Sequence, residues 1–370
     1  MLYLGWVFCK LASMQNKNTQ PKVSIAVINY NTVDLLSTCL TSLQGIAYPN
    51  KEFFVIDQAS SDDSVNMVRK KFPHVKIIEN QNTGYAGGAN KAYEVTDGKY
   101  VIVMNPDVTL GENYIHALVG KLEKDPSIGA ITGKILKTEP LEKDKDYTPI
   151  IDTTGLLAFK NRRVVDRGQG FEDRGQFEKK EEVFGISGCL AMYRRSALDD
   201  IAIPVKMFDT KYKNSDETEV WDNDFFMYKE DIDVSWRLNL NGWKCIYDPC
   251  VVAYHMRGTQ VLRRYTNKDV ITHRKSVPHF TRYYSYKNQR LMQVKNEISS
   301  DMLQDLLSLI VREILTTGYI FLREPRTSKA FFTLLTQLPR AFKKRKYIQK
   351  NRKTSSMRHF LKGNPKDAFT

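Results

Sequence analysis

Short apolar segments alternate with amphipathic segments four times between residues 22 and 104, and this pattern constrains the fold more than any other feature of the chain. The apolar segments are typical of buried strands, and the segments between them place apolar residues at helical spacing. The predicted strands are KVSIAVINY (22–30), EFFVID (52–57), VKIIEN (75–80) and YVIVM (100–104). This order predicts an α/β fold whose sheet is mixed, mainly parallel and flanked by helices.

Polar residues stand at the carboxyl end of each predicted strand. Ligands of open parallel sheets bind outside these strand ends. We therefore expect four clusters to converge at one edge of the sheet: Asn29-Tyr30-Asn31, Asp57, Glu79-Asn80 and Asn105-Pro106-Asp107.

Asp107 follows a proline that ends the fourth predicted strand, because proline has no backbone N–H to donate. A carboxylate at this edge is a suitable ligand for Mg²⁺, which binds one or two carboxylates together with substrate phosphates. Asn-Pro-Asp is also ordinary turn chemistry. Both interpretations, a metal ligand and a turn, remain open from the residues alone.

Three glycines precede a predicted helix in ENQNTGYAGGANKAY, residues 79–93. Glycines allow a ligand to approach the backbone, and a helix N-terminus favours an anion. Close packing of the helix on the sheet would require the same residues. The segment matches neither a Walker loop nor the Rossmann glycine fingerprint.

Acidic residues crowd the start of a helix predicted over 231–241, at Glu230, Asp231 and Asp233. They could complement the helix dipole. Alternatively, one of them is a general base, since neighbouring like charges raise a carboxyl pKa. His255 ends an apolar strand, where it is either a hydrogen-bonded edge residue or a ligand for the same cation as Asp107.

The C-terminal part of the chain is helical and basic. One apolar stripe over 301–322 contains Leu303, Leu306, Leu307, Ile310 and Ile314. Residues 327–370 contain twelve Lys/Arg and one Asp, which is +11 of the net charge of +14. An amphipathic helix followed by basic residues predicts docking at an anionic membrane surface. The alternative is a helical cap with a solvated tail. Basic and aromatic residues are not interleaved elsewhere, which argues against a nucleic-acid partner.

Three regions follow from these patterns: a leader over 1–20, a catalytic domain over 21–265 and a helical extension over 266–370. The apolar stretch in the leader is too short to span a bilayer, so we expect a disordered or interfacial segment. The five cysteines form no CxxC pair, which predicts reduced, cytoplasmic thiols.

Six motifs occur together in one order, and this combination is more specific than any single motif. They are VSIAVINYN, FFVIDQASSDDS, NTGYAGGAN, VIVMNPDV, ISGCLAMYRR and FMYKEDIDVSWRLNLNGWKCIYDPCVVAYH. The chain resembles the inverting glycosyltransferases of family 2, which have a GT-A fold, and especially the rhamnosyltransferase-like branch. The resemblance extends over about residues 21–258.

The resemblance implies a role for each matching residue. Asp231, paired with Glu230, matches the catalytic base. Asp107 stands at the last position of the Asp-X-Asp motif that binds the metal, and His255 matches a residue that helps to hold the metal or diphosphate. Asp57 would bind the nucleobase. The remaining nucleotide-sugar contacts would be Asn29, Tyr30, Asn31, Asn82, Gly84, Gly88, Asn90 and Asn105, which replaces the first Asp of Asp-X-Asp.

The implied reaction uses Mg²⁺ or Mn²⁺ and a nucleotide-sugar, dTDP-rhamnose or a UDP-sugar. The implied acceptor is a glycan or a polyprenyl-diphosphate-linked glycan of cell-surface polysaccharide synthesis, at the inner face of the plasma membrane. A nucleotidyltransferase is one alternative, but it should have a basic glycine-rich loop where Asn29-Tyr30-Asn31 stands. A non-catalytic sugar-nucleotide-binding relative is another, but it should lack Asp107 or Asp231.

Overall fold

The computed structural model describes residues 20–137, 149–256 and 274–363. The predicted leader and the predicted boundary near residue 265 lie outside these ranges. The strands are β1 Val23–Asn29, β2 Lys51–Asp57, β3 Lys76–Glu79, β4 Tyr100–Met104, β5 Val108–Leu110, β6 Ile128–Lys137, β7 Ile150–Thr153, β8 Leu156–Phe159, β9 Val164–Asp166, β10 Glu181–Val183, β11 Leu190–Arg194, β12 Ile203–Pro204, β13 Thr218–Glu219, β14 Lys244–His255 and β15 Leu361–Lys362.

Ten strands form one sheet in the order β10-β14-β6-β11-β4-β1-β2-β3, with β5 beside β14 and β7 beside β6. The four predicted strands, β1 to β4, pair in parallel. Strand β11 is antiparallel to both β4 and β6, and β14 is parallel to β6. The predicted α/β fold with a mixed sheet is confirmed.

Helices follow the strands as the sequence predicts. They are α1 Val33–Gln44, α2 Ser64–Lys71, α3 Gly84–Val95, α4 Tyr114–Lys124, α5 Arg195–Ile201, α6 Glu230–Leu240, α7 His279–Asn296, α8 Ser299–Gln304, α9 Leu306–Arg323 and α10 Pro325–Asn351. Both faces of the sheet are covered, because alternate residues of β1 pack into two different hydrophobic cores. One core contains Val23, Ile25 and Val27, and the other contains Ala26 and Ile28.

The C-terminal helices share a hydrophobic core with helix α6. Trp236 of α6 packs in one cluster with Leu291 of α7 and with Leu334 and Ile348 of α10. Strand β15 then returns to pair with β8. The helical cap, given above as the alternative to membrane docking, is therefore present. Residues 340–363 do not form the solvated tail of that alternative, because α10 and β15 pack on the body of the protein.

The predicted helix over 301–322 is two helices, α8 and α9, which meet at Asp305. Its apolar stripe faces solvent rather than a core. Leu307 and Ile314 are 77% and 66% exposed, and Ile320 is the one buried residue of α9. The described part of the chain thus carries an unpartnered apolar helix face.

Candidate active site

Asn29 and Asp57 lie side by side at the ends of β1 and β2. The amide of Asn29 donates to a carboxylate oxygen of Asp57 at 2.8 Å, and both side chains are buried. Asp57 also accepts hydrogen bonds from the hydroxyl and the backbone N–H of Ser60. The predicted convergence of polar strand ends is confirmed for this pair. We call the hydrogen-bonded side chains of Asn29 and Asp57 the acidic floor of the candidate site.

The residues after β1 shape the rim of this floor. Asn31 adopts a left-handed φ of 51°. Its side-chain oxygen accepts from the backbone N–H of Ser61 at 2.7 Å, which ties this turn to the loop after β2. Tyr30 is 51% exposed, so its ring is accessible to a ligand.

The glycines of the 79–93 segment satisfy packing constraints. Gly84 has a φ of +71°, and a Cβ there would lie 2.2 Å from the carbonyl oxygen of Phe226. A Cβ on Gly88 would lie 2.8 Å from Ile28. Asn82 accepts a hydrogen bond from the Gly84 N–H at 3.1 Å. These contacts favour the packing interpretation, and binding of the nucleotide-sugar by these residues stays a prediction.

Asn90 uses its whole side-chain amide to hold the segment before α6. Its oxygen accepts from the backbone N–H groups of Val220 and Trp221, both at 3.0 Å. Its nitrogen donates to the Trp221 carbonyl at 2.6 Å and to Asn223 at 3.0 Å. Asn90 therefore has a structural role, and its contact with the nucleotide-sugar stays a prediction.

Asp107 and His255 face each other because β5 pairs with β14. Nε2 of His255 lies 3.2 Å from Oδ2 of Asp107. Within the described residues, neither this Nε2 nor the buried Oδ1 of Asp107 makes a hydrogen bond. A carboxylate oxygen without a hydrogen bond, next to an imidazole nitrogen that pairs with the same carboxylate, is an arrangement to which a divalent cation could bind.

Asp152 supports His255 from the opposite side of the imidazole. Its Oδ2 lies 2.7 Å from Nδ1, and both side chains are buried. Burial alone would lower the pKa of His255, but Cys189 and the two carboxylates outweigh it and raise that pKa. A carboxylate on one ring nitrogen commonly fixes the imidazole so that the other nitrogen can bind a metal. Sequence analysis missed Asp152, because it is 103 residues away from His255 along the chain.

Cys189 completes a buried group of potential metal ligands. Its thiol and ligand atoms of Asp152 and His255 all lie within 4.8 Å of one another. The backbone carbonyl of Cys189 accepts from the N–H of Asn105 at 2.9 Å. Cys189 therefore joins the strand end at Asn105 to the His255 region.

Asp231 approaches the same segment from helix α6. Its Oδ2 accepts from the backbone N–H of Gly188 at 2.9 Å, and Tyr85 donates to the Gly188 carbonyl at 2.5 Å. Gly188 and Cys189 are consecutive, so their Cα atoms are about 3.8 Å apart. The Gly188–Cys189 segment therefore contacts Asp231 through one residue and the His255 region through the next.

Glu230 differs from Asp231 in its surroundings. It is buried, and its Oε2 has no hydrogen-bond partner within the described residues. Burial, assisted by the charge of Asp231, raises the pKa of Glu230 well above its usual range. Glu230 is thus favoured in its neutral form, whereas the Asp231 side chain is partly exposed.

The loop before Glu230 has a strained backbone. Phe226, Tyr228 and Lys229 have φ of 65°, 68° and 75°, which is unfavourable for residues with a side chain. The buried amide of Asn288 on α7 donates to the carbonyls of residues 225, 227 and 228 at 2.8–2.9 Å. Asn288 therefore holds this conformation, and nothing in its local sequence indicated that role.

Two buried lysines of the C-terminal helices neutralise the acidic segment before α6. Lys295 contacts Asp222 and lies 2.9 Å from Asp233 of α6. Lys344 lies 2.5 Å from Asp222 and 2.7 Å from Glu219. Both lysines are at most 1% exposed. The C-terminal helices thus set the position of the helix that carries Asp231.

Comparison with known proteins agrees with this geometry. Residues 24–202 match the family model described as Glycosyl transferase family 2. A similar solved structure is described as GalNAc-T7 with UDP, GalNAc and Mn²⁺. It has 13% identity and a TM-score of 0.50, and the alignment covers 78% of this chain and 55% of that one, so it shows likeness of fold.

The match to this family model extends over just under half of the chain, from β1 to α5. Curated relatives include poly-beta-1,6-N-acetyl-D-glucosamine synthase of Staphylococcus epidermidis, 23% identical over 67% of this chain and 53% of the relative. The enzyme of the same name from Staphylococcus aureus strain MSSA476 is 24% identical over 61% of this chain and 47% of the relative. The chain spans about half the length of the curated relatives it matches.

Proposed function

We propose that the protein is an inverting glycosyltransferase that moves a sugar from a nucleotide-sugar to a hydroxyl of a glycan or polyprenyl-diphosphate-linked acceptor. One observation carries the proposal. Asp231 contacts Gly188, and the Asp107–His255 pair lies beside the next residue, Cys189. The proposed base and the proposed cation site therefore border the same two-residue segment, which supports a single displacement at an anomeric carbon between them.

Asp231 is the group that receives the proton of the acceptor hydroxyl. The backbone N–H groups of Gly188 and Ile232 donate to its two oxygens at 2.9 and 2.8 Å. These donors fix the direction of the carboxylate. A general base within hydrogen-bond reach of the attacking hydroxyl lowers the barrier of this step. A single in-line attack inverts the anomeric configuration.

Asp107 and His255 would hold Mg²⁺ or Mn²⁺. When bound, the cation supplies positive charge that stabilises the leaving nucleoside diphosphate. Asn105 brings no charge to this site, so one carboxylate and one imidazole leave coordination positions for phosphate oxygens. Asp152 orients the imidazole through its Nδ1.

The donor is a sugar on a pyrimidine nucleotide, dTDP-rhamnose or a UDP-sugar. Thymine and uracil both present an N3–H donor. The Asp57 carboxylate in the floor of the site is an acceptor for such a donor. Tyr30 is exposed at the rim, where it could stack on the base.

Thermal stabilisation by nucleoside diphosphates tests this assignment. We expect TDP or UDP with Mn²⁺ to raise the melting temperature, and GDP and ADP to have little effect, since a ligand stabilises only the state that binds it. Asp107→Asn should lose the Mn²⁺-dependent part of the shift. A preference for purine nucleotides would contradict the assignment of the base.

Sugar transfer and its stereochemistry test the reaction itself. The full chain is incubated with dTDP-rhamnose or UDP-N-acetylglucosamine and a panel of glycan acceptors, and the new linkage is analysed by NMR. Inversion is expected. Retention of configuration, or release of diphosphate with no dependence on Asp231, would overturn the mechanism.

A membrane surface completes the proposal. Among the described residues, no helix combines the length and the apolar content needed to cross a bilayer. The support for peripheral, inner-face binding is the exposed apolar face of α9, together with Lys343, Lys346 and Lys350 on the exposed side of α10. Polyprenyl-linked acceptors would be met at that surface.

A further inference from the structure

Aromatic side chains gather where the loop before the catalytic acids meets helix α7. Phe226 stacks on Tyr284 with ring centroids 5.3 Å apart. Phe280 lies 4.7 Å from Tyr284, 6.2 Å from Phe226 and 6.5 Å from Tyr228. We call Phe226, Tyr228, Phe280 and Tyr284 the aromatic platform.

The aromatic platform is both ordered and open. Phe280 is 45% exposed, although the burial of such a ring is normally favourable. The ring packs against Tyr228, which is held in place because Thr281 donates to the Tyr228 hydroxyl at 3.0 Å and Asn288 donates to the Tyr228 carbonyl. A rigid aromatic surface that stays open to solvent is suited to binding, because little conformational entropy is lost when a ligand packs on it.

The platform borders the proposed site of transfer. Tyr228 is three residues before Asp231, so the two Cα atoms can be at most about 11 Å apart. The Phe226 carbonyl accepts from the N–H of Ala86 at 3.0 Å, in the first turn of α3. The platform therefore connects the catalytic acids with the glycine segment.

We propose that the aromatic platform is the acceptor subsite, and that a neutral pyranose ring of the acceptor packs its C–H face on Phe280. This rests on the proposed function: the acceptor hydroxyl must reach Asp231, so the acceptor has to lie along the loop that carries Tyr228. Aromatic side chains give large, oriented apolar contacts of the kind that line ligand sites. Phe280 lies outside residues 24–202, the part that matches the family.

The cations around the platform are engaged with other groups of the protein. Arg274 and Arg282 share the Glu324 carboxylate at 2.7 and 3.3 Å. Nζ of Lys287, which lies 5.5 Å from the Tyr284 ring, donates to the side chain of Gln337 at 2.8 Å. Free cations would instead be expected at a site for lipid phosphates. We therefore assign a sugar ring here, and we place lipid contact on α9.

Acceptor kinetics of the full chain test the assignment. Rates are measured with saturating donor and with varied methyl glycopyranosides and short glucosamine or rhamnose oligosaccharides. For Phe280→Ala we expect KM for the acceptor to rise about tenfold, in line with the loss of one aromatic contact. The donor KM, the rate of donor hydrolysis by water and the melting temperature should stay at wild-type values. Phe280→Trp should restore acceptor affinity.

Phe332→Ala is the matched control. Phe332 is 62% exposed on α10, so this substitution removes the same ring at a site away from the platform. If Phe280→Ala is unstable, Phe280→Leu keeps most of the volume and should still raise the acceptor KM. Equal acceptor KM in Phe280→Leu and wild type overturns the proposal, as does a loss of vesicle binding with unchanged acceptor KM. Absence of any transfer by the wild type would instead refute the proposed function, so the two failures are distinguishable.

Discussion

The Asp231 carboxylate accepts a hydrogen bond from the backbone N–H of Gly188 at 2.9 Å. This bond joins helix α6 to the segment that continues into Cys189 and the His255 region. A Cβ on Gly188 would lie 3.1 Å from the Cβ of Asp231, so a larger residue there would have to displace Asp231 by a few tenths of an ångström. The position of the proposed base is thus set by the strand end that also borders the proposed cation site.

Asp231→Asn should reduce turnover by about 10²- to 10⁴-fold, since an amide cannot accept the proton of the acceptor hydroxyl. The affinity for the nucleoside diphosphate should stay at the wild-type value, because Asp231 does not contact Asp107 or Asp57. Steady-state kinetics and nucleotide titration measure the two quantities. Asp34→Asn, an exposed change on α1, is the control. Wild-type turnover in Asp231→Asn would remove Asp231 from its role.

Glu230→Gln should retain most of the turnover, because the raised pKa of Glu230 favours its neutral form and glutamine mimics that form. The raised folded-state pKa also has a stability consequence. Its contribution to the free energy of unfolding is fully present below about pH 4.5, and it is lost as the pH rises through the folded-state pKa. Glu230→Gln should therefore gain stability over wild type as the pH rises from 4.5. Denaturant unfolding at several pH values measures this, and a constant difference would contradict it.

Asp152→Asn should weaken Mn²⁺ binding by about 10- to 100-fold, because the support for the imidazole is lost. His255→Ala should weaken it further, and isothermal titration measures both. Cys189→Ala discriminates between the two possible ligand sets. Unchanged affinity indicates that Asp107 and His255 hold the ion, whereas a large loss indicates the buried group of Asp152, Cys189 and His255.

Lys344→Met should destabilise the fold by about 3–5 kcal/mol, since it leaves Asp222 and Glu219 buried without their full counter-charge. Lys346→Met is a matched control two residues away, at an exposed position, and should change stability by less than about 0.5 kcal/mol. Urea unfolding measures both variants. Equal effects would show that the network contributes little.

Leu307→Glu and Ile314→Glu should abolish flotation with anionic vesicles, because each places a charge on the exposed apolar face of α9. Ser308→Glu adds the same charge at an exposed polar position of that helix and should reduce binding much less. Neutral vesicles should bind more weakly than anionic ones. Equal flotation of all three variants would exclude α9 as the docking surface. These point variants keep α10 and its buried lysine, which truncation after Gly318 would remove.

The alternation of strands and helices over residues 22–104 was predictable because it depends on local periodicity. Strand β4 has the predicted bounds Tyr100–Met104, and α6 begins one residue earlier than predicted. The apolar stripe of α9 was equally visible, but its exposure was not. A period of 3.6 residues indicates one apolar face and does not say what covers it.

The candidate site was predictable where its residues stand at strand ends, as with Asn29, Asp57 and Asp107. It was not predictable where distant segments meet. Asp152 lies within a strand and Asn288 within a helix, and neither has a neighbouring motif that would identify it. The basic run after residue 340 resembled a solvated tail because sequence reports charge without burial, whereas Lys344 is fully buried.

The lysines that reach into the acidic segment make the C-terminal helices and the body of the protein one cooperative unit. A fragment ending near residue 256 would leave three carboxylates, Glu219, Asp222 and Asp233, without these counter-charges and would release the loop that carries Tyr228. An exchange of the last hundred residues between relatives should therefore not transfer acceptor preference. Residues 219–233 would have to be exchanged together with them.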